Sequence, residues 1–194
     1  MARPKKEDAR DIKALALETT HALLHQHGYM GVSMDDVAKQ VGVRKASLYH
    51  HFPEGKEQLV LEIADLANAE DAEGFKRALE AATTVREGLL GVARFVIGAR
   101  RQTSVILRDA MRFMAQAHQE HIYRTFFEGQ YVPVQRALER GVRRGELRPH
   151  DTERSAWAFL GLLSEMNADD SDDREHLARF IVGLMLDGLK QPQK

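Results

Sequence analysis

The sequence predicts an all-α protein of about nine helices, and three observations carry that prediction. Ala, Leu, Glu, Arg and Gln dominate and recur at helical spacing. No Asn-Gly or Asp-Gly pair sits between two alternating β-branched runs, so hairpins have no signal. Glycine, proline and small polar residues fall where such helices need stops and caps.

The first helix is expected over residues 7–27, stopped by Gly28, where a left-handed cap favours glycine. "SMDD" starts the second, with Ser33 as N-cap and Asp36 three residues on, as in a capping box. It reaches about residue 40, and "VGV" turns the chain into a short third helix over 44–51. Pro53 breaks the chain, and a long fourth helix runs from about 55 to 79–82. Further helices fit at 85–101, 104–117, 119–144, 152–168 and 172–190. Gly145 and Pro149 mark one break, and the "DDSDD" run marks the next. With no linker between the halves, the fourth helix is expected to join them. The expected division is an N-terminal helical domain over 1–55 and a second helical domain over 56–194.

Composition narrows the function. Cysteine is absent, which excludes disulfides, thiol nucleophiles and cysteine-bound metals. No apolar run reaches the roughly 18 residues of a membrane span, and no signal core follows the charged N-terminus; a cytoplasmic location is expected. The net charge is −1, and residues 1–60 carry nine Lys and Arg against eight Asp and Glu. Any nucleic-acid partner must therefore be held by where charges sit rather than by their sum.

The informative stretch lies between residues 33 and 59. Two short helices around a three-residue turn make a helix-turn-helix candidate. Ala38 is small where the helices cross, and Gly42 tolerates positive φ in the turn. Val37, Val41, Val43 and Leu48 fill the inside, and Phe52 shares a face with Leu48. In this motif the second helix enters the major groove. Arg44 and Lys45 lie at its N-terminal end, where base edges are reached, and the Ala46 methyl can meet a thymine methyl. Ser47, Tyr49, His50 and His51 are placed to donate to phosphates. The start of the fourth helix brings Lys56 to the same strand.

The segment "GYMGVSMDDVAKQVGVRKASLYHHFPEGKEQLV" resembles the DNA-binding domain of the TetR/AcrR family of transcriptional regulators, over roughly residues 8–62. The resemblance implies that Ser33 caps helix two and touches a phosphate, and that Tyr49, His51 and Lys56 contact the DNA backbone. It implies that Arg44, Lys45 and Ala46 read bases. "FPEGKEQL" departs from the family's turn: it is one residue longer than the common form, and Glu54 stands where a glycine is usual, an acid facing phosphate. The basic "ARPKK" tail reads either as a minor-groove arm or as a loose end.

The resemblance also implies that the second domain holds a homodimer interface on its last two helices and an effector pocket. Phe159, Leu163, Phe180, Leu184 and Leu186 offer apolar surface for a core and for a partner. For the pocket the sequence offers Phe95, Arg108, Met111, Met114, His118, Tyr123, Phe127 and Trp157, with Arg100, Arg101 and His121 nearby. The same residues also read as plain core. The expected function is a repressor that binds a palindromic DNA operator as a homodimer and is released by a small, mostly apolar effector moving helix four. The competing reading is a helical adaptor without sequence-specific DNA binding. His21/His25 and His118/His121 have metal-ligand spacing but no evident third ligand, so no metal or other cofactor is expected. No phosphate loop or nucleophile elbow points to an enzyme.

Overall fold

The computed structural model describes residues 6–98, 103–166 and 171–187. The "ARPKK" tail through Lys5, Arg100, Arg101 and the first acids of "DDSDD" (Asp169 and Asp170) lie outside them. Among the described residues there are ten α-helices: α1 (Lys6–His27), α2 (Met34–Val41), α3 (Lys45–His51), α4 (Lys56–Glu80), α5 (Val85–Gly98), α6 (Thr103–Met111), α7 (Gln116–Phe126), α8 (Val132–Arg143), α9 (Thr152–Glu165) and α10 (Ser171–Asp187). A π-helical turn, Phe127–Tyr131, joins α7 to α8 without a break, so these make nine rods. No strand occurs among the described residues.

The expected helix over 104–117 ends earlier, at Met111. Local turn bonds close its end, from the Phe113 N–H to the Ala110 carbonyl at 2.9 Å and from the Met114 N–H to the Met111 carbonyl at 3.4 Å. Just beyond, the Ala115 N–H donates to Glu57 Oε1, a partner 58 residues away that no local pattern reveals. The π turn is likewise a packing feature: a Cβ on Gly129 would lie 2.8 Å from Ala72 Cβ.

The chain divides into two compact units, residues 1–67 with 102–122, and residues 68–101 with 123–194. The first buries Ala16 and Leu24 of α1, Val37 and Ala38 of α2, Leu48, Phe52, Leu59, Val60 and Ile63 around one core, joined by Leu107, Ala110 and Met114. The second packs Phe75, Leu89, Val92, Val134, Leu138, Phe159, Leu163, Ile181 and Leu186. Within it, Gln130 Nε2 donates to Asn68 Oδ1 at 3.2 Å and Asn68 Nδ2 to Thr125 Oγ1 at 2.7 Å, which satisfies the buried amides.

Candidate nucleic-acid interface

Local chemistry fixes α2 and α3 before any partner is considered. Ser33 caps α2: Asp36 N donates to Ser33 Oγ at 3.2 Å, and Ser33 N donates back to Asp36 Oδ2 at 2.9 Å. Aspartate thus completes the box usually closed by glutamate. The Ser33 hydroxyl also donates to Asp36 Oδ2, at 2.5 Å, and these hydrogen bonds hold the Asp36 carboxyl below its usual range. Gly42 has φ +79°, and the N–H groups of Gly42 and Val43 both donate to the Ala38 carbonyl at 3.0 Å. That geometry demands the left-handed region and explains the glycine.

From this turn α3 presents two faces. Leu48 and Phe52 are wholly buried, whereas Arg44, Lys45, Ala46, Tyr49 and His50 are exposed and Ser47 and His51 are half-buried. Arg44 is the N-cap residue, and its guanidinium has no ion pair among the described residues. Lys45 Nζ lies 2.7 Å from Asp35 Oδ2, and that hydrogen bond raises its pKa. Helix α3 is therefore tied to α2 by a contact that the motif alone does not reveal. Tyr49 lies over the following turn, its hydroxyl 3.7 Å from the place a Gly55 Cβ would occupy.

Lys56 occupies a different situation from an exposed phosphate-binding lysine. Its ammonium donates to the carbonyls of Tyr29 (2.7 Å) and Val32 (2.8 Å) and lies 3.9 Å from the Tyr29 ring centroid. Burial lowers its pKa. Two of its three protons pin the start of α4 to the α1–α2 turn, so it sets the position of the surface as well as lying beside it.

The turn containing Glu54 resolves the oddity of an acid there. Gly55 supplies the left-handed residue, φ +71°, so Glu54 need not. Glu54 Oε2 lies 3.5 Å from His118 Nε2, while His118 Nδ1 lies 2.9 Å from Glu57 Oε1. His118 stands between two carboxylates, and His121 Nε2 lies 2.7 Å from Asp65 Oδ1. Burial works to raise the Glu57 carboxyl, but hydrogen bonds from Ala115 N–H and His118 outweigh it and hold the group below its usual range. The Tyr29 N–H donates to Asp109 Oδ2 at 2.9 Å, and Phe113 stacks on Tyr29 at 5.6 Å. The sequence offers His118 as pocket-lining with His121 nearby; the clasp of α6 and α7 onto α4 and the turn after α1 has no local signature. Acids at 54, 57 and 65 with histidines at 118 and 121 were its only trace.

The effector candidates fall into two groups. Met111 and Met114 pack in the core of the first unit, where His118 also sits and Arg108 lies on α6. Tyr123, Phe127 and Trp157 stack in the second unit, Tyr123 at 6.0 Å from Phe127 and 6.4 Å from Trp157, with Phe126 and Tyr131 completing the group. Phe95 belongs to the second unit too, edge-on to Phe75. Of the apolar residues on the last two helices, Phe159, Leu163 and Leu186 are core, while Phe180 and Leu184 are 56% and 60% exposed. Among the described residues no group of three or more His, Cys, Asp or Glu could hold a metal.

Residues 16–63 match the family model described as bacterial regulatory proteins, tetR family. That match covers about a quarter of the chain, and over its described length the chain has the fold of the solved regulators compared below. The HTH-type transcriptional regulator LmrA of Bacillus subtilis is 33% identical over 79 residues, which are 41% of this chain and 42% of LmrA. The chain thus spans under half the length of that curated relative. The TetR family regulator PfmR from Thermus thermophilus superposes with a TM-score of 0.77 at 23% identity, over 91% of this chain and 99% of PfmR. AibR, solved in complex with isovaleryl coenzyme A and operator DNA, gives 0.76 at 23% identity over 90% and 98%. At such identities the two structures establish the fold. No helix among the described residues is long and apolar enough to cross a membrane.

Proposed function

We propose that this chain is a cytoplasmic, ligand-responsive transcriptional repressor that acts by binding rather than catalysis. It binds a palindromic operator as a homodimer and is released by a small, mostly apolar effector. The observation that carries the reading is α3 itself, with Leu48 and Phe52 locked inside and Arg44, Lys45, Ala46, Tyr49 and His50 turned to solvent. Arg44, Lys45 and Ala46 meet base edges in the major groove, and Ser47, Tyr49, His50 and His51 hold phosphates. Ser33 and Lys56 fix the flanking backbone whose N–H groups approach the DNA. Functionally, residues 1–55 read DNA, and residues 56–194 take the effector and the second copy. Phe180 and Leu184 belong to the dimer face; a twofold pairing there matches a palindrome.

Tyr123, Phe127 and Trp157 form the apolar wall against which the effector lies, with Phe95 deeper in the same unit. Arg108, Met111, Met114 and His118 carry its effect along α6 and α7 to the start of α4. AibR's complex with an acyl-coenzyme A and operator DNA supports both halves of this reading. Fluorescence anisotropy with a selected palindromic duplex tests it. Ala46→Glu places an acid on an exposed position and is expected to weaken binding at least about a hundredfold, with unfolding unchanged. Equal affinity of the wild type for all duplexes would favour the adaptor reading instead.

A further inference from the structure

The second unit contains an open cleft of about 590 Å³ between the C-terminal half of α4, the start of α5 and α8. That volume lies within the roughly 300–1,000 Å³ of small-molecule sites. None of the eight residues offered above for the effector lines it. Its depth comes from close helix packing: a Cβ on Gly141 would meet Leu147 and Val85 at 3.1–3.2 Å, and Gly129 is as tight against Ala72. Small residues consequently floor the cleft, with Leu79, Val85 and Pro133 as its larger apolar contributors.

The rim has the opposite character. Arg136 and Arg140 of α8 and Arg144, its C-cap residue, stand four residues apart and line the cleft, and Lys76 of α4 joins them. Like charges at this spacing oppose helix stability. Elsewhere in the unit Arg94 pairs with Glu175, Arg86 with Asp187 and Arg143 with Glu139, while Arg77, alone on its stretch of α4, has no ion pair among the described residues. Arg144 reaches the Thr83 carbonyl at 3.0 Å and Glu146 at 3.8 Å. Arg136, Arg140 and Lys76 have no ion pair among the described residues, although Glu80 and Glu128 also line the cleft. Glu146, the third acid, accepts the Val85 N–H at 2.7 Å.

We propose that this cleft binds an organic anion with a small apolar body, its carboxylate or phosphate held by Arg136 and Arg140 and its hydrocarbon lying on the Ala72–Ala137 floor. An anion between those arginines relieves their mutual repulsion and supplies the acceptors that five guanidinium donors each require. A neutral apolar molecule leaves the stripe unmatched, and a bare anion leaves the floor in water. The site is separate from the aromatic wall, and its occupancy is read without DNA.

Calorimetric titration of the full chain tests the inference with sodium octanoate, octan-1-ol and inorganic phosphate. Octanoate is expected to bind saturably, and the alcohol and phosphate each about tenfold or more weakly. Arg136→Ala with Arg140→Ala is expected to weaken octanoate at least about tenfold, and Arg140→Gln alone several-fold, with helical circular dichroism unchanged. Arg77→Ala removes an exposed charge outside the cleft and is expected to change nothing. Absence of saturable octanoate binding would overturn the proposal. So would an affinity equal to that for octanol or phosphate, or one insensitive to the α8 arginines, or one equally sensitive to Arg77.

Discussion

The two compact units differ in which of their groups are fixed by long-range polar contacts and which stay exposed. In the first, polar groups are largely matched within the chain: Ser33 with Asp36, Lys45 with Asp35, Lys56 with two carbonyls, and His118 with Glu57. Its outward face at α3 is a small set of residues left over from that matching. Both units expose large apolar groups, Met30 and Leu66 in the first and Trp157, Phe180 and Leu184 in the second, but in the second two of them, Phe180 and Leu184, share one helix, α10. The contrast teaches that α3 is held in place by contacts within its own unit, whereas α10 carries exposed apolar side chains that its own unit does not cover.

The largest expected effect breaks the first unit alone. Phe52 is wholly buried at the end of α3, and Phe52→Ala should cost about 3–5 kcal/mol in denaturant unfolding. A cost below about 1 kcal/mol would mean that α3 is not anchored by this residue. The second unit is attacked at its surface. Phe180→Glu with Leu184→Glu should weaken self-association about a hundredfold or more in sedimentation, with the circular dichroism spectrum of the monomer intact. Unchanged association would move the dimer face off α10.

Two changes in the first unit sharpen the division between reading and positioning. Arg44→Ala should cost about 1–3 kcal/mol of operator binding, relax preference at one base pair and leave unfolding unchanged. Lys56→Met should lower folding stability by about 1–2 kcal/mol, because the Tyr29 and Val32 carbonyls lose their donor. If Lys56→Met altered only the salt dependence of DNA binding, the lysine would be a simple phosphate contact.

The smallest effect belongs to the second unit. Arg94 meets Glu175 through Nε at 2.8 Å and Nη2 at 2.7 Å, and Arg179 adds a third bond at 2.6 Å. These bonds lower the Glu175 pKa from 4.5 to about 2. A depressed carboxylate stabilises the fold above its unfolded value and loses that contribution as pH falls from about 4.5 through about 2. Glu175→Gln should therefore lower the melting temperature slightly at neutral pH, and the difference should vanish near pH 2. A difference that persists unchanged in acid would remove the ion pair as its cause.

Much of the first unit was legible in the sequence because its rules are local. Gly28, Gly42 and the Ser33–Asp36 box are each dictated by neighbours within a few residues, and the buried pair Leu48 and Phe52 follows from helical spacing. The Lys45–Asp35 tie and the Lys56 anchor were hidden because their partners lie 10 to 27 residues away. The clasp around His118 joins positions about 60 apart, and Glu54 makes sense only once His118 is beside it. The π turn at Phe127–Tyr131 sets Gly129 against Ala72, and the arginine-rimmed cleft gathers residues from 72 to 146, contacts that periodicity does not encode.

Selection of bound duplexes from a random-sequence pool, with the wild-type chain and Arg44→Ala in parallel, tests the central claim most directly. The account predicts enrichment of a palindrome whose half-sites are separated by about one helical turn or a multiple of it, roughly 34–36 Å, with one base position relaxed in the variant. A pool that shows no enrichment, or an enriched site that Arg44→Ala reads unchanged, would contradict it.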